Sequence, residues 1–165
     1  MQGGPFMHTI AAKAVCFKIV GIEAFRDYQR QVRANADTLA ATLEEQGLNV
    51  LTGGTDTHLL QLDFRVTEWT GKAAEERLDE VKLTVNRNTV PFDEQPPTIA
   101  SGVRIGTPAA TMRGFDEDDF REVGEVIAGA LGGDADVGAL AARSEALCAK
   151  RPLYPGFRGY TTYTA

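Results

Sequence analysis

Apolar residues are densest near the amino end of the chain. Between Phe6 and Val20 they come almost without interruption: Phe6, Met7, Ile10, Ala11, Ala14, Val15 and Phe17. A helix that is apolar all round is normally enclosed. The pattern therefore predicts a helix buried on most sides, with Pro5 in its first turn, where a missing N–H is no loss. Gly21 interrupts it. From Ile22 to Gln46 the pattern narrows to one stripe, with Phe25, Tyr28, Val32, Ala36, Leu39 and Leu43 at steps of three and four. Arg26, Arg30, Arg33, Asp37 and Glu44 lie off that stripe. Gly47 is placed to close this second helix in the left-handed conformation.

Beyond Gly47 the period shortens to two. Asn49-Val50-Leu51 is a short extended candidate, and His58 to Phe64 a longer one with Leu60, Leu62 and Phe64 on one face. Gly53-Gly54 supplies turn residues, so the two pieces are expected to lie side by side and antiparallel. Thr70 is placed to cap a helix through Val81 whose apolar face is Ala74, Leu78 and Val81. Thr84-Val85 and Thr89-Val90 read as short extended pieces, and Pro91 to Pro97 as a proline-rich acidic loop. Ser101 to Thr107 returns to strand, with Val103 and Ile105 on one face and Arg104 on the other; Pro108 ends it. Asp116 is a good N-cap, followed by acids that suit the positive end of a helix dipole. Phe115 and Phe120 hold the staple positions around it. That helix runs to Gly132-Gly133, and a last one covers about Asp136 to Lys150. Residues 151–165 show no clear periodicity. The order predicts an α/β fold, more closely an α+β-like small domain. A short sheet carries packed helices and follows a long helical connector.

Charge narrows the function. Acids outnumber bases 23 to 17, for a net charge of -6, which leaves no basic field for nucleic acid. No apolar run is long enough to cross a membrane, and no leader pattern opens the chain, so the default compartment is a reducing cytoplasm. Two histidines and two cysteines offer no metal-ligand spacing. Cys16 and Cys148 sit in helix patterns and read as small buried hydrophobes. Met1-Gln2-Gly3-Gly4-Pro5 reads as an interior loop, because glycine pairs make tight turns or cradle a ligand.

Three places could carry chemistry. Gly3-Gly4 before a helix start offers free N–H groups and a dipole to a phosphate; it could equally be an ordinary turn. Arg104, between Gly102 and Gly106, could clamp a carboxylate with two parallel hydrogen bonds or form an internal ion pair. Asn86-Arg87-Asn88-Thr89-Val90-Pro91-Phe92-Asp93 could offer amides to a planar heterocycle, or simply turn the chain. Lys13, Lys18, Lys72, Lys82 and Lys150 all lie in or beside helix patterns. None has the look of a Schiff-base lysine, which needs a dry pocket. Gly71-Lys72 lacks the Ser or Thr and the glycine spacing of a P-loop.

The same three places match a known family. Gln2-Gly3-Gly4-Pro5, then Met7-His8 and Ile10 to Val15, closely resembles the serine hydroxymethyltransferase segment that follows the cofactor-lysine region. The resemblance continues at Tyr28-Gln29, Gln31-Val32, Asn35-Ala36, Gly53 to Asp56, His58-Leu59 and Thr70-Gly71-Lys72. It is strong in Val85 to Pro91, Ser101 to Ala109 and Arg113-Gly114-Phe115, and it runs in the family's order to about Leu131.

The resemblance implies the C-terminal domain of a fold-type-I pyridoxal-phosphate enzyme that interconverts serine and glycine and passes a one-carbon unit to tetrahydrofolate. By that likeness Arg104 holds the substrate carboxylate. Gly3 and Gly4 reach the cofactor phosphate of a neighbouring subunit. Asn88, Pro96, Pro97 and Thr98 border folate, with Thr98 where the family usually has a larger apolar residue. Trp69 stands where the family usually has leucine, and the tail after Tyr154-Pro155-Gly156 departs from it. The implied layout is an interdomain segment and buried helix over 1–21, a small domain over 22–150 and a tail over 151–165. The family's Schiff-base lysine, ring-stacking histidine and pyridine-pairing aspartate belong to a domain before this segment. This chain is therefore expected to contain no catalytic residue, to bind neither pyridoxal phosphate nor tetrahydrofolate tightly alone, and to be inactive alone. The expected partners are serine, glycine and folate, with no nucleic acid, no membrane and a homo-oligomeric assembly. A non-catalytic binding or regulatory domain and one half of a split enzyme are the alternatives.

Overall fold

A computed structural model describes residues 3–133 and 136–153. The first helix, α1 (Met7–Val20), leads through Gly21 into the long α2 (Glu23–Glu45). A short 3₁₀ turn at Leu51–Gly53 precedes β1 (Leu59–Asp63). Then come α3 (Gly71–Glu80), β2 (Asn86–Asn88), β3 (Gly102–Gly106), α4 (Pro108–Met112), α5 (Glu117–Leu131) and α6 (Val137–Lys150). The sheet is antiparallel in the order β1-β3-β2, so the last strand of the chain is the central one.

Register fixes what each face carries. Gln61, Arg104 and Asn86 form one row across the strands, and Asp63, Gly102 and Asn88 the next. Alternating with those rows, Leu60 pairs with Ile105 and Leu62 with Val103. These apolar residues point the other way and are buried with Leu39 and Leu43 of α2, Leu78 of α3 and Ile127 of α5. One face of the sheet is thus the core, and the other is polar.

The helix ends follow their local chemistry. Gly47, at φ 83°, closes α2. Its N–H donates to Glu44 O at 2.9 Å, and the Leu48 N–H to Leu43 O at 2.9 Å, the paired bonds of a Schellman end. Thr70 caps α3 by accepting from the Ala73 N–H. Asp116 caps α5, Asp119 returns the bond to the Asp116 N–H, and the Phe115 and Phe120 rings meet at 6.0 Å. Asp119 is 1% exposed and also accepts from Lys150 Nζ at 2.6 Å and Arg151 Nε at 2.9 Å. That cluster ties the end of α6 to the start of α5.

Several expectations need correction. α1 forms, but none of its residues is buried among the described residues; its apolar surface extends all round, and its contact with α2 is slight. Pro5 lies before the N-cap Phe6 and not within the first turn. Cys16 and Cys148 are both exposed, the first because α1 lacks cover and the second because it faces outward on α6 beside the Arg113 guanidinium. Val50 makes only one bridge, to Leu62, before Thr52 turns left-handed at φ 74°. The third strand forms on Asn86–Asn88 and not on the valine pairs beside it, which are buried off the strand at Val85 and Val90. Pro108 ends β3 as expected but also opens α4, where proline suits the first turn. The tail after Tyr154-Pro155-Gly156 lies outside the described residues.

Asn35 is the polar link that joins α2 to the opposite side of the core. It is fully buried. Its Nδ2 donates to Thr111 Oγ1 at 2.8 Å and to Phe115 O at 2.9 Å, and its Oδ1 accepts from Gln31 Nε2 at 2.9 Å. Replacing it by leucine leaves the Phe115 carbonyl buried without a partner. Asn35→Leu is expected to lower stability by about 2 kcal/mol or more, read as an earlier urea midpoint at an unchanged slope.

Candidate functional site

Arg104 sits in the middle of the central strand and projects from the polar face. It is exposed, and it makes no ion pair among the described residues. Its row partners, Gln61 and Asn86, are uncharged. The two other arginines of the sheet region are taken: Arg65 by Asp63 at 2.6 Å and Arg87 by Glu75 at 2.9 Å. The guanidinium of Arg104 is left as an open pair of N–H donors.

Both ends of β3 are tied down, which holds that guanidinium in place. At its exit, Thr107 Oγ1 donates to Val32 O at 2.9 Å and Tyr28 Oη to Pro108 O at 3.1 Å, so α2 anchors the strand. Burial raises the Tyr28 hydroxyl above its ordinary pKa. At its entry the Phe64 N–H donates to Ser101 O at 2.7 Å, and the first turn of α3 donates from Gly71 to Ala100 O and from Lys72 to Ile99 O, each at 2.9 Å. A Cβ on Gly102 would stand 2.4 Å from Leu62 O and 3.1 Å from Asn88 O; one on Gly71 would stand 2.4 Å from Gly102 O. Only glycine allows these backbones to meet. At Gly106 a Cβ would make ordinary contacts, the nearest at 3.7 Å.

Pro96, Pro97 and Thr98 lie exposed on the loop that enters β3. Asp93 organises this loop. Its carboxylate accepts from the Val90 N–H at 3.1 Å, the Gln95 N–H at 2.9 Å, the Ser101 N–H at 2.8 Å and the Ser101 hydroxyl at 2.7 Å. Burial pushes its pKa up, but the Ser101 hydroxyl and the backbone N–H groups of Gln95, Ser101 and Val90 outweigh that and lower it to about 2. Ala100 is held left-handed at φ 57° just before the strand. The loop is a fixed turn, not a slack connection.

Asn88 shares the polar face with Arg104, two rows of pleat along. Its Nδ2 donates to Gln61 Oε1 at 3.2 Å and to Thr89 O at 2.9 Å, and Gln61 Nε2 donates to Thr89 O at 2.8 Å. The structure therefore brings Arg104 and Asn88 to one side of the sheet, and the Pro96–Thr98 loop to the entry of the strand that carries Arg104.

Gly3 and Gly4 are not drawn into that group. Both are exposed, and a Cβ on either meets nothing within 4 Å. All five lysines are exposed on helices or at their ends, so none occupies the dry pocket that a Schiff-base amine requires. Among the described residues no cluster of His, Cys, Asp or Glu could hold a metal ion, and no helix is long and apolar enough to cross a membrane.

Gln61 acts at this face without having stood out in the sequence, and Asp93 stood there only as the last residue of the 86–93 segment, not as the organiser of the loop. Gln61 looks like an ordinary outward position of a strand, and Asp93 like one more acid of an acidic loop. The alternation of β1 marks Gln61 as sharing a face with Arg104 only once the antiparallel register is known.

The chain matches the family model described as serine hydroxymethyltransferase over residues 1–127. It is 48% identical over 164 residues to a serine hydroxymethyltransferase of Nocardia farcinica, covering 96% of this chain and 38% of that protein. It is 51% identical over 160 residues to one of Leifsonia xyli subsp. xyli, covering 94% and 37%. It is 52% identical over 160 residues to one of Kocuria rhizophila, covering 94% and 38%. The chain spans about 38% of the length of these relatives.

Asp93 gives the site a pH signature. Its folded pKa, about 2, lies below the ordinary aspartate value near ~3.9. A depressed carboxylate stabilises the fold above its unfolded pKa, and that stabilisation is lost as pH falls through the folded value. The loop entering β3 is expected to loosen between about pH 4 and pH 2. In Asp93→Asn, amide exchange at Gln95 and Ser101 should be fast at neutral pH and should lose this acid dependence.

Proposed function

The chain belongs to the serine hydroxymethyltransferase family, and from that premise we propose that it forms the C-terminal small-domain part of that enzyme's active site. Arg104 grips the carboxylate of serine or glycine through two parallel N–H···O bonds, which orients the amino acid for reaction. Asn88 and the Pro96–Thr98 loop border the folate ring. Gly3 and Gly4 offer backbone N–H groups to the cofactor phosphate of a neighbouring subunit. Residues 1–21 connect to the cofactor domain, 22–150 form the small domain and 151–165 a tail.

The single observation that carries this reading is the unpaired guanidinium of Arg104 on a strand fixed at both ends. In a chain with a net charge of -6, an arginine kept free of internal carboxylates is available for one from outside. The lysines present do not fit a Schiff base with pyridoxal phosphate, so no covalent step is assigned to this chain. The chain binds and orients; the reactive amine comes from elsewhere in the enzyme. The same reading places the protein in the cytoplasm. A second reading, one half of a split enzyme, draws on the bare apolar surface of α1; recovery of activity on mixing with a separate cofactor domain distinguishes it.

Turnover and stability measurements test the assignment. With pyridoxal phosphate, tetrahydrofolate and serine, this chain alone is expected to form no glycine. Grafted in place of the matching segment of the Nocardia farcinica relative, it should give an active enzyme. In that graft Arg104→Ala should lower kcat/KM for serine by about 100-fold, the worth of roughly 3 kcal/mol of charge-assisted hydrogen bonding. The urea midpoint of the chain itself should not move, because Arg104 supports no internal contact. Normal serine kinetics in the variant graft, or turnover by the lone chain, rejects the reading.

Self-association follows from α1. Phe6, Met7, Ile10, Val15 and Phe17 are exposed by 47 to 71%, and contiguous apolar surface of this kind seldom stays bare. Light scattering is expected to give a mass above the 17.8 kDa of the monomer, and Ile10→Glu with Phe17→Glu to restore it. A clean monomer at high concentration contradicts this.

A further inference from the structure

The polar face contains one device that the family assignment does not explain. Gln61 starts on β1, yet its amide ends on β2. It reaches across the central strand, from the row of Arg104 to the row of Gly102. There Gln61 Nε2 donates to Thr89 O at 2.8 Å, and Gln61 Oε1 accepts from Asn88 Nδ2 at 3.2 Å. The second hydrogen of Asn88 Nδ2 goes to Thr89 O at 2.9 Å. Both Asn88 amide hydrogens are therefore spent inside the protein. Asn88 Oδ1 accepts nothing among the described residues, and it is not among the buried atoms lacking a partner.

Turning the Asn88 amide over would set its oxygen against two acceptors, Gln61 Oε1 and Thr89 O. Turning Gln61 as well would not relieve this, because Gln61 Nε2 is the group that satisfies Thr89 O. A side-chain amide is ambivalent by nature, with one accepting end and one donating end. Here the ambivalence is removed. We propose that Gln61 is a positioning residue that locks Asn88 with its carbonyl oxygen outward, so that this point of the site accepts a hydrogen bond and selects a ring N–H donor on its ligand. The ligand is a planar heterocycle that presents an N–H edge to Asn88, and a ring offering only lone pairs there is disfavoured. This rests on the reading of Asn88 as a folate contact.

The orientation is tested on the chain as it stands. In 15N-labelled protein without ligand, both Asn88 side-chain protons are expected to exchange with solvent at least tenfold more slowly than those of the exposed Gln95. Gln61→Leu should abolish that difference while the backbone amides of Leu62, Val103 and Ile105 stay protected, which separates loss of the lock from loss of the sheet. Fast exchange at Asn88 in the parent chain, or no change in Gln61→Leu, overturns the lock. The consequence for the ligand is tested in the active graft with tetrahydrofolate. Gln61→Leu should raise the KM for tetrahydrofolate about tenfold and leave the KM for serine unchanged. Added to Asn88→Ala, it should have no further effect, since there is then no amide to orient. An equal effect in both backgrounds, or none in either, overturns the proposal. If Asn88→Ala alone leaves the tetrahydrofolate KM untouched, the folate assignment of Asn88 falls, and the exchange data still decide the lock.

Discussion

Two glycines pressed against neighbouring backbone set the geometry on which everything else rests. Gly102 has Leu62 O and Asn88 O where a side chain would begin, and Gly71 has Gly102 O in the same place. The start of α3 can therefore lie against the entry of β3, and β3 can lie close between β1 and β2. This contact brings the free N–H groups of α3 to Ile99 and Ala100, which satisfies a helix end and fixes a loop at once. Arg104 is two residues further on. Its position follows from backbone packing and owes nothing to contacts of its own side chain.

The distribution of charge has the same logic. Most acids of this acidic chain are occupied within it. Asp63 holds Arg65, Glu75 holds Arg87, Glu122 and Glu125 hold Arg143, and Asp116 and Asp119 hold Arg151. Arginine bonding lowers the pKa of Glu122 and of Asp63, so these acids stay ionised at neutral pH. What is left on the polar face of the sheet is a cation without a counter-ion, flanked by amides.

Much of the fold could be read along the chain because its signals are local. The stripe of α2 and its closing Gly47, the Asp116 cap with its two phenylalanines, and the alternation of Val103, Arg104 and Ile105 each depend on neighbours a few residues away. The losses have physical causes. β2 is a polar edge strand whose only requirement is to pair with β3, so Asn-Arg-Asn carries no apolar alternation to betray it. α4 is too short to show a period. The dense apolar run of α1 signals enclosure, yet none of that helix is buried among the described residues. At the site, Arg104 and Asn88 were visible through motif likeness, while Gln61 and Asp93 act through partners 27 and 8 residues away, and only folding reveals those distances.

The carboxylate of Asp119 also makes Lys150 and Arg151 part of the folded unit. It is 1% exposed and leans on Lys150 and Arg151, so a cut just before Lys150 would strand a buried anion beneath α5. Removing the partners of a buried carboxylate leaves it without its charge-assisted hydrogen bonds, a destabilising change. Any shortened form of the domain therefore has to keep Lys150 and Arg151, because α5 begins on the charge they hold.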